Sequence, residues 1–306
     1  MKTILITGIS GFIGQDLGKQ LRSNYNIIGI DLNTTTLECC NIFYKVDITD
    51  YDKINELIKK HKPCVIIHTA AMKDLKMCET DKEIAYKVNT EASINLNNIS
   101  KYINAKFIFV SSDQVFYGNK SLSATSAKKN PLNYYGITKS MAEDEIINNA
   151  SAAICRTALV FGKIPQNKVL SFMEIRNNPK LVIQSYIVDH VYYKLTNNEE
   201  INLPANEYCS PTSVDLLVLQ IKTIIEQDLN GIFHCCGGER ISRFELGKKI
   251  ATKFGLNKSL IIPISSKDLL RPKDVSLDIT SSQKALGFKF FNIDNMLNKI
   301  EVYNDS

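Results

Sequence analysis

Four histidines and eight cysteines without a Cys-x-x-Cys among them leave the chain poor in the ligand sets that hold structural or catalytic zinc. No apolar run reaches membrane-spanning length, and the N-terminal MKTILITGIS has one lysine and too short an apolar stretch for a secretory leader. The formal charge of +5 is spread along the chain instead of gathered in a basic run, which argues against nucleic acid as a partner. There is no internal repeat and no low-complexity tract. These absences predict a cytoplasmic protein without membrane or metal. Its cysteines (Cys39, Cys40, Cys64, Cys78, Cys155, Cys209, Cys235 and Cys236) are read as reduced thiols, several of them small buried hydrophobes in strand-like segments.

What is present suits a globular enzyme. The chain has 306 residues, 44% hydrophobic and 23% charged, enough for one large α/β unit and a smaller lobe. Short β-branched runs alternate with helical stretches through the first half: TILIT at 3–7, IIGID at 27–31, YDKINELIKKH at 51–61, CVIIH at 64–68, a long helix over 83–102, and FIFVSS at 107–112. Strands that are apolar throughout and alternate with helices predict a doubly wound, Rossmann-like parallel sheet covered on both faces. After AICRTALVFG at 153–162 the rhythm breaks. Residues 1–162 are expected to form a dinucleotide-binding domain to which segments near 213–236 return, and 163–306 mainly a substrate-binding lobe.

TGISGFIG at 7–14 follows the first predicted strand and opens the first predicted helix, placing Gly8, Gly11 and Gly14 three residues apart around Phe12 and Ile13. Glycines let a backbone turn tightly and approach a pyrophosphate, which the amides at a helix N-terminus then stabilise. A tight strand–helix turn alone could use the same spacing; the strand–loop–helix context favours the dinucleotide. Asp31 ends the second strand, where a carboxylate accepts hydrogen bonds from ribose hydroxyls. No Arg or Lys follows it in LNTTT to hold a 2′-phosphate, so NADH is favoured while NADPH stays open. Asp47 and Ile48, after the third strand, are expected to flank the adenine, although an acidic residue there could equally cap a helix.

In NYYGITK at 133–139, Tyr135 and Lys139 are four residues apart and share a helix face, while Tyr134 points about 140° round the helix from Lys139. A nearby ammonium lowers a phenol's pKa from its ordinary ~10 toward a useful range, so Tyr135 is the candidate proton donor. Ser112 ends a buried strand, where ligands of open α/β sheets bind, and is placed to hydrogen-bond a reacting oxygen; serines at strand ends also simply start turns.

TGISGFIG, HTAA at 68–71, the VN of KVNTEA at 88–89, SSDQVF at 111–116 and YGITK at 135–139 together resemble the extended short-chain dehydrogenase/reductase family. RTALVFG at 156–162, SPTSVDL at 210–216, GIFHCCGGERISRFELGKKI at 231–250 and RPKDVSLD at 271–278 are similar to dTDP-4-dehydrorhamnose reductases and their nucleotide-sugar relatives. The resemblance runs from end to end. It implies that Ser112 binds a sugar keto oxygen, that Tyr135 donates the proton, and that Lys139 lowers the tyrosine pKa and holds the nicotinamide ribose. It adds Ala70 and Ala71 to the cofactor-binding residues, makes a nucleotide sugar the partner, and admits a homodimer. Four positions depart from the subgroup: Leu159 where an aromatic residue is frequent, Asn206 where an acid is usual, Gln114 in place of tyrosine and Lys76 in place of aspartate. The implied activity is NAD(P)H-dependent reduction of a nucleotide-linked 4-keto-6-deoxysugar. Alternatives are an epimerase that recycles bound NAD, or a non-catalytic regulatory subunit with the cofactor fold. A dehydratase is disfavoured because Asp113-Gln114 lacks a second carboxylate.

Overall fold

Strand β1 (Thr3–Thr7) sends Ile4 and Ile6 to one side and Leu5 to the other, and all three are completely buried, because the strand is covered on both faces. The computed structural model describes residues 1–34, 38–162 and 187–300. In it β1 is followed by β2 (Asn26–Asp31), β3 (Ile42–Lys45), β4 (Val65–His68), β5 (Lys106–Ser112) and β6 (Ala152–Thr157). Short strands β7 (Val160–Phe161), β8 (Ile201–Pro204), β9 (Tyr208–Cys209) and β10 (Thr212–Ser213) precede β11 (Gly231–His234), β12 (Ile241–Ser242) and β13 (Ile261–Ile264). Among the described residues a seven-stranded sheet runs in the order β11-β6-β5-β4-β1-β2-β3, with every pair parallel. The doubly wound reading of the sequence is what the chain adopts. The order reverses between β1 and β4, and the crevice beyond their carboxyl ends is where such sheets bind ligands.

The helices are α1 (Phe12–Leu21), α2 (Tyr51–His61), α3 (Leu75–Thr80), α4 (Lys82–Tyr86), α5 (Ala92–Tyr102), α6 (Tyr134–Ile146), α7 (Ile187–Thr196), α8 (Val214–Glu226), α9 (Arg243–Lys253), α10 (Thr280–Leu286) and α11 (Ile293–Leu297). Leu17, Leu21, Leu217 and Ile221 of α1 and α8 pack with Ile4, Ile6 and Ile108 on one face of the sheet. Ile54, Leu96 and Ala142 of α2, α5 and α6 pack with Leu5, Phe107 and Phe109 on the other. A third core joins Val191, Leu203, Leu246, Ile261 and Met296 from the later part of the chain. Residues 163–186, where the sequence places the start of the substrate lobe, lie outside the described residues.

Helix ends follow local chemistry. Asp50 accepts from the Lys53 amide and starts α2, whose last turn runs into Lys62 in the left-handed region. Ser242 and Glu245 form a reciprocal capping box on α9. The stretch 83–102 is helical but not uniform: a π-helical segment, Lys87–Glu91, separates α4 from α5. No described helix is long and apolar enough to cross a membrane.

Candidate active site

The turn after β1 tolerates no side chain at Gly8 or Gly14. Gly8 has φ +73, and a Cβ on it would lie 2.7 Å from the Ala70 amide nitrogen; a Cβ on Gly14 would lie 2.1 Å from the Gly8 carbonyl oxygen. Gly11 donates its amide to Gly8 and caps α1, so that Phe12 and Ile13 form the helix's first turn, whose amides have no acceptor within the helix. All five residues line a cleft of about 740 Å³ at the carboxyl ends of the strands. Asp31, Asp47, Ile48, Ala70 and Ala71 line the same cleft. The Asp31 carboxylate accepts the Ser10 amide at 3.0 Å and the Asn33 amide at 3.1 Å, which ties the end of β2 to the glycine loop. Asp47 is not the cap of α2; it accepts the amide and hydroxyl of Thr49, both at 2.8 Å, and Asp50 does the capping.

Ser112, Tyr135 and Lys139 line this cleft as well. Asn133 caps α6 by accepting the Gly136 amide at 2.8 Å, and Gly136 lets the helix start approach the Gln114 carbonyl, which a Cβ would meet at 2.1 Å. This registers the two tyrosines. The Tyr134 amide is held by Glu79 and its ring lies under Lys82, off the cleft, whereas Tyr135 faces Ser112. Ser112 also starts a turn: its oxygen accepts the Gln114 amide at 3.2 Å and its hydroxyl donates to Asp113 at 3.0 Å. Ser111 points the other way and donates to Glu143 at 2.6 Å.

The electrostatics correct one expectation. Burial pushes the Tyr135 phenol up from its ordinary pKa, the neighbouring Ser112 hydroxyl opposes the rise, and the Asp113 carboxylate adds to it; Lys139 is not among the causes. Tyr135 therefore stays protonated at neutral pH. Lys139 is pushed down to about 7 by burial, opposed by Glu143. Asp113 is pushed up to about 6 by burial, against hydrogen bonds from Ser112 and Gln114.

The π-helical segment anchors α6. Asn89 pairs with both backbone groups of Met72 at 2.9 Å and donates to Thr138 at 3.1 Å, and Thr90 donates to the Thr138 carbonyl at 2.9 Å. One asparagine thus holds the HTAA strand end to the helix that carries Tyr135 and Lys139. His68 is structural: Ser93 gives its proton to the Asn89 carbonyl, so the ring donates from Nε2 to Ser93 and accepts at Nδ1 from Thr7, 2.6 Å away. Burial, with Lys139 nearby, pushes its pKa down to about 3, and it stays neutral.

The opposite wall comprises residues that sequence reasoning did not single out: Glu207, Tyr208, Arg243, Arg271 and Pro272. Arg240 stacks on the Tyr208 ring at 3.7 Å while its guanidinium pairs with Asp274 at 2.6 Å, so Tyr208 is braced from behind. Glu207 lies 3.9 Å from Arg243, whose own pKa is lowered by burial and by Arg271. Both arginines sit inside quoted family-like segments, but only the tertiary contacts bring them to the cleft. Of the four departures, Gln114 and Leu159 line the cleft. Asn206 instead bridges to Ser265 and Ser266, and Lys76 is exposed on α3. No group of three or more metal-ligating side chains occurs among the described residues.

The family model described as the RmlD substrate binding domain matches residues 1–301. The methionine adenosyltransferase 2 subunit beta of Rattus norvegicus is 27% identical over 282 residues, 90% of this chain and 80% of its own length. A hypothetical dTDP-4-dehydrorhamnose reductase from Sulfolobus tokodaii superimposes with a TM-score of 0.82 at 31% identity, covering 98% of this chain and all of that one. The dTDP-4-dehydrorhamnose reductase of Bacillus anthracis, solved with NADP, gives a TM-score of 0.83 at 24% identity over 98% of each chain. A glycine cradle, a strand-end serine and a helical Tyr-x-x-x-Lys on one cleft, matched along nearly the whole chain, make this protein a member of the RmlD substrate binding domain family.

Proposed function

We propose that the cleft reduces a nucleotide-linked 4-keto-6-deoxysugar using NAD(P)H. One observation carries this reading: Ser112, Tyr135 and Lys139 share a single cleft with a glycine cradle that a Cβ at Gly14 would fill. The cradle and Asp31 fit a dinucleotide, whose pyrophosphate would meet the amides of the first turn of α1 and whose adenosine ribose would reach Asp31. A bound NAD(P)H supplies the hydride. The chain's own residues align the keto carbon, stabilise charge developing on its oxygen, and deliver a proton. The Ser112 hydroxyl and the Tyr135 phenol converge on that oxygen, and the buried phenol still carries its proton to give from Oη. One C–H and one O–H bond form, and the ketone becomes a secondary alcohol. Asp31 disfavours a 2′-phosphate by repulsion, so NADH is preferred to NADPH. The identity to the Sulfolobus protein along the whole chain supports a reductase.

The test is NADH and NADPH oxidation against a panel of nucleotide 4-keto-6-deoxysugars. Turnover with one of them, faster with NADH at equal subsaturating concentration, is expected. A second reading is favoured by the likeness to methionine adenosyltransferase 2 subunit beta: a regulatory subunit that uses the cleft only to bind. No turnover across the panel, together with stable association with a methionine adenosyltransferase, would establish that reading instead.

A further inference from the structure

Lys139 is 2% exposed, and the carboxylate one turn along its own helix is already engaged. Glu143 accepts the Ser111 hydroxyl at 2.6 Å, takes Arg156 through Nε at 3.0 Å and Nη2 at 2.8 Å, and has Lys129 at 3.4 Å. What faces the ammonium is an aromatic ring: Lys139 Nζ lies 4.0 Å from the centroid of Phe109. This pairing follows from the periodicities of the two elements. Residues two apart on β5, Phe109 and Ser111, meet residues four apart on α6, Lys139 and Glu143. The Glu143 charge still opposes the loss of the Lys139 proton, and the other described groups around Lys139 add no countercharge to it. His68 at the end of β4 is neutral with both ring nitrogens bonded, Arg156 on β6 is a cation held by Glu143, and Tyr135 one turn back keeps its proton.

We propose that the π face of Phe109 holds the Lys139 ammonium charged in the cleft wall, which makes Phe109 a positioning residue for dinucleotide binding. A desolvated ammonium tends to lose its proton, and a ring face within about 6 Å opposes that loss most strongly where water is excluded. A leucine would fill the same space without the quadrupole. The proposal rests on the dinucleotide reading above, because a ribose hydroxyl is held more strongly by the charged ammonium than by the neutral amine.

The probe is NADH alone, its binding followed by fluorescence from about pH 6 to about pH 10, a range that spans the depressed and the ordinary lysine pKa. In the wild type, affinity falls as pH rises through the Lys139 pKa. Phe109→Leu should move that midpoint down by about one pH unit. Phe109→Tyr, which keeps the ring face, should restore it, and Lys139→Arg should abolish the alkaline fall. A Phe109→Leu variant that weakens NADH by the same factor at every pH would reduce Phe109 to a packing residue, and an alkaline fall that persists in Lys139→Arg would assign it to another group; either result overturns the proposal. Should Phe109→Leu fail to fold, wild-type protein labelled with ¹³C at lysine Cε decides without NADH. One Cε methylene, absent from Lys139→Arg, should be shifted upfield by the ring and titrate below the other lysines, and its absence would equally overturn the proposal. If the shifted signal is present but NADH does not bind at any pH, the dinucleotide reading has failed and the ring–ammonium contact has not.

Discussion

The two walls of the cleft are built differently. On the dinucleotide side the working parts are mostly backbone, the Gly8 turn, the first turn of α1 and the loop after β4 at Ala70, with one carboxylate, Asp31, at the end of β2. On the other side they are side chains, Glu207, Tyr208, Arg243 and Arg271, delivered by separate segments and braced by Arg240 and Asp274. A backbone cradle demands particular residues at particular spacings, because one misplaced Cβ closes it. A side-chain wall demands only that the right groups converge, and many sequences achieve that. Between the walls stand Ser112, Tyr135 and Lys139.

The contrast can be broken first at the middle. Tyr135→Phe should lower kcat by ~10²–10⁴-fold on the keto sugar that the panel identifies, while Tyr134→Phe, whose ring lies against Lys82, should stay near wild type. The reverse order would show that the proton comes from elsewhere. On the side-chain wall, Arg271→Met should raise KM for the nucleotide sugar by about 10- to 100-fold, the loss of a charge-assisted hydrogen bond, and leave NADH affinity unchanged. An equal loss for NADH would merge the two walls into one binding surface.

The sheet end beneath them can be tested by acid. His68 has a folded pKa of about 3 against an ordinary 6.5, so between those values the unfolded chain binds the extra proton. Its contribution to stability is present above pH 6.5 and is lost as pH falls toward 3. The slope is about 1.4 kcal/mol per pH unit within the window. Urea titrations of wild type and His68→Gln across that range should show a shallower dependence in the variant, and parallel curves would remove His68 from the acid response. The smallest effect is expected at Asp31→Asn, which should improve NADPH relative to NADH by about two- to fivefold, as for a partly exposed charge. An unchanged ratio would mean that Asp31 does not approach the 2′ position.

The elements were largely legible because periodicity is local. The helix read over 51–61 is α2 to the residue, since Asp50 and the left-handed Lys62 bound it. The helix read over 83–102 hides a π-helical segment, because nothing in KVNTE announces that Asn89 will bond Met72 and Thr138. AICRT reads as a strand-like segment; that its Arg156 is buried and paired with Glu143 of α6 is supplied by the fold. Two adjacent serines at 111 and 112 look alike in sequence, and only the pleat of β5 sends one to Glu143 and the other to the cleft.

The sequence alone determined the doubly wound sheet, the glycine cradle, and the choice of Tyr135 over Tyr134 as the partner of Lys139's face, because each depends on spacing within one strand, turn or helix. The tertiary structure alone decided what surrounds those groups. It put Phe109 under Lys139, turned the expected depression of the Tyr135 pKa into a rise by burying the phenol, and brought Arg243 and Arg271 to the cleft from segments far apart in the chain. Periodicity reports which side of an element a residue occupies. Desolvation and charge depend on what packs against that side, and contacts distant in sequence settle it.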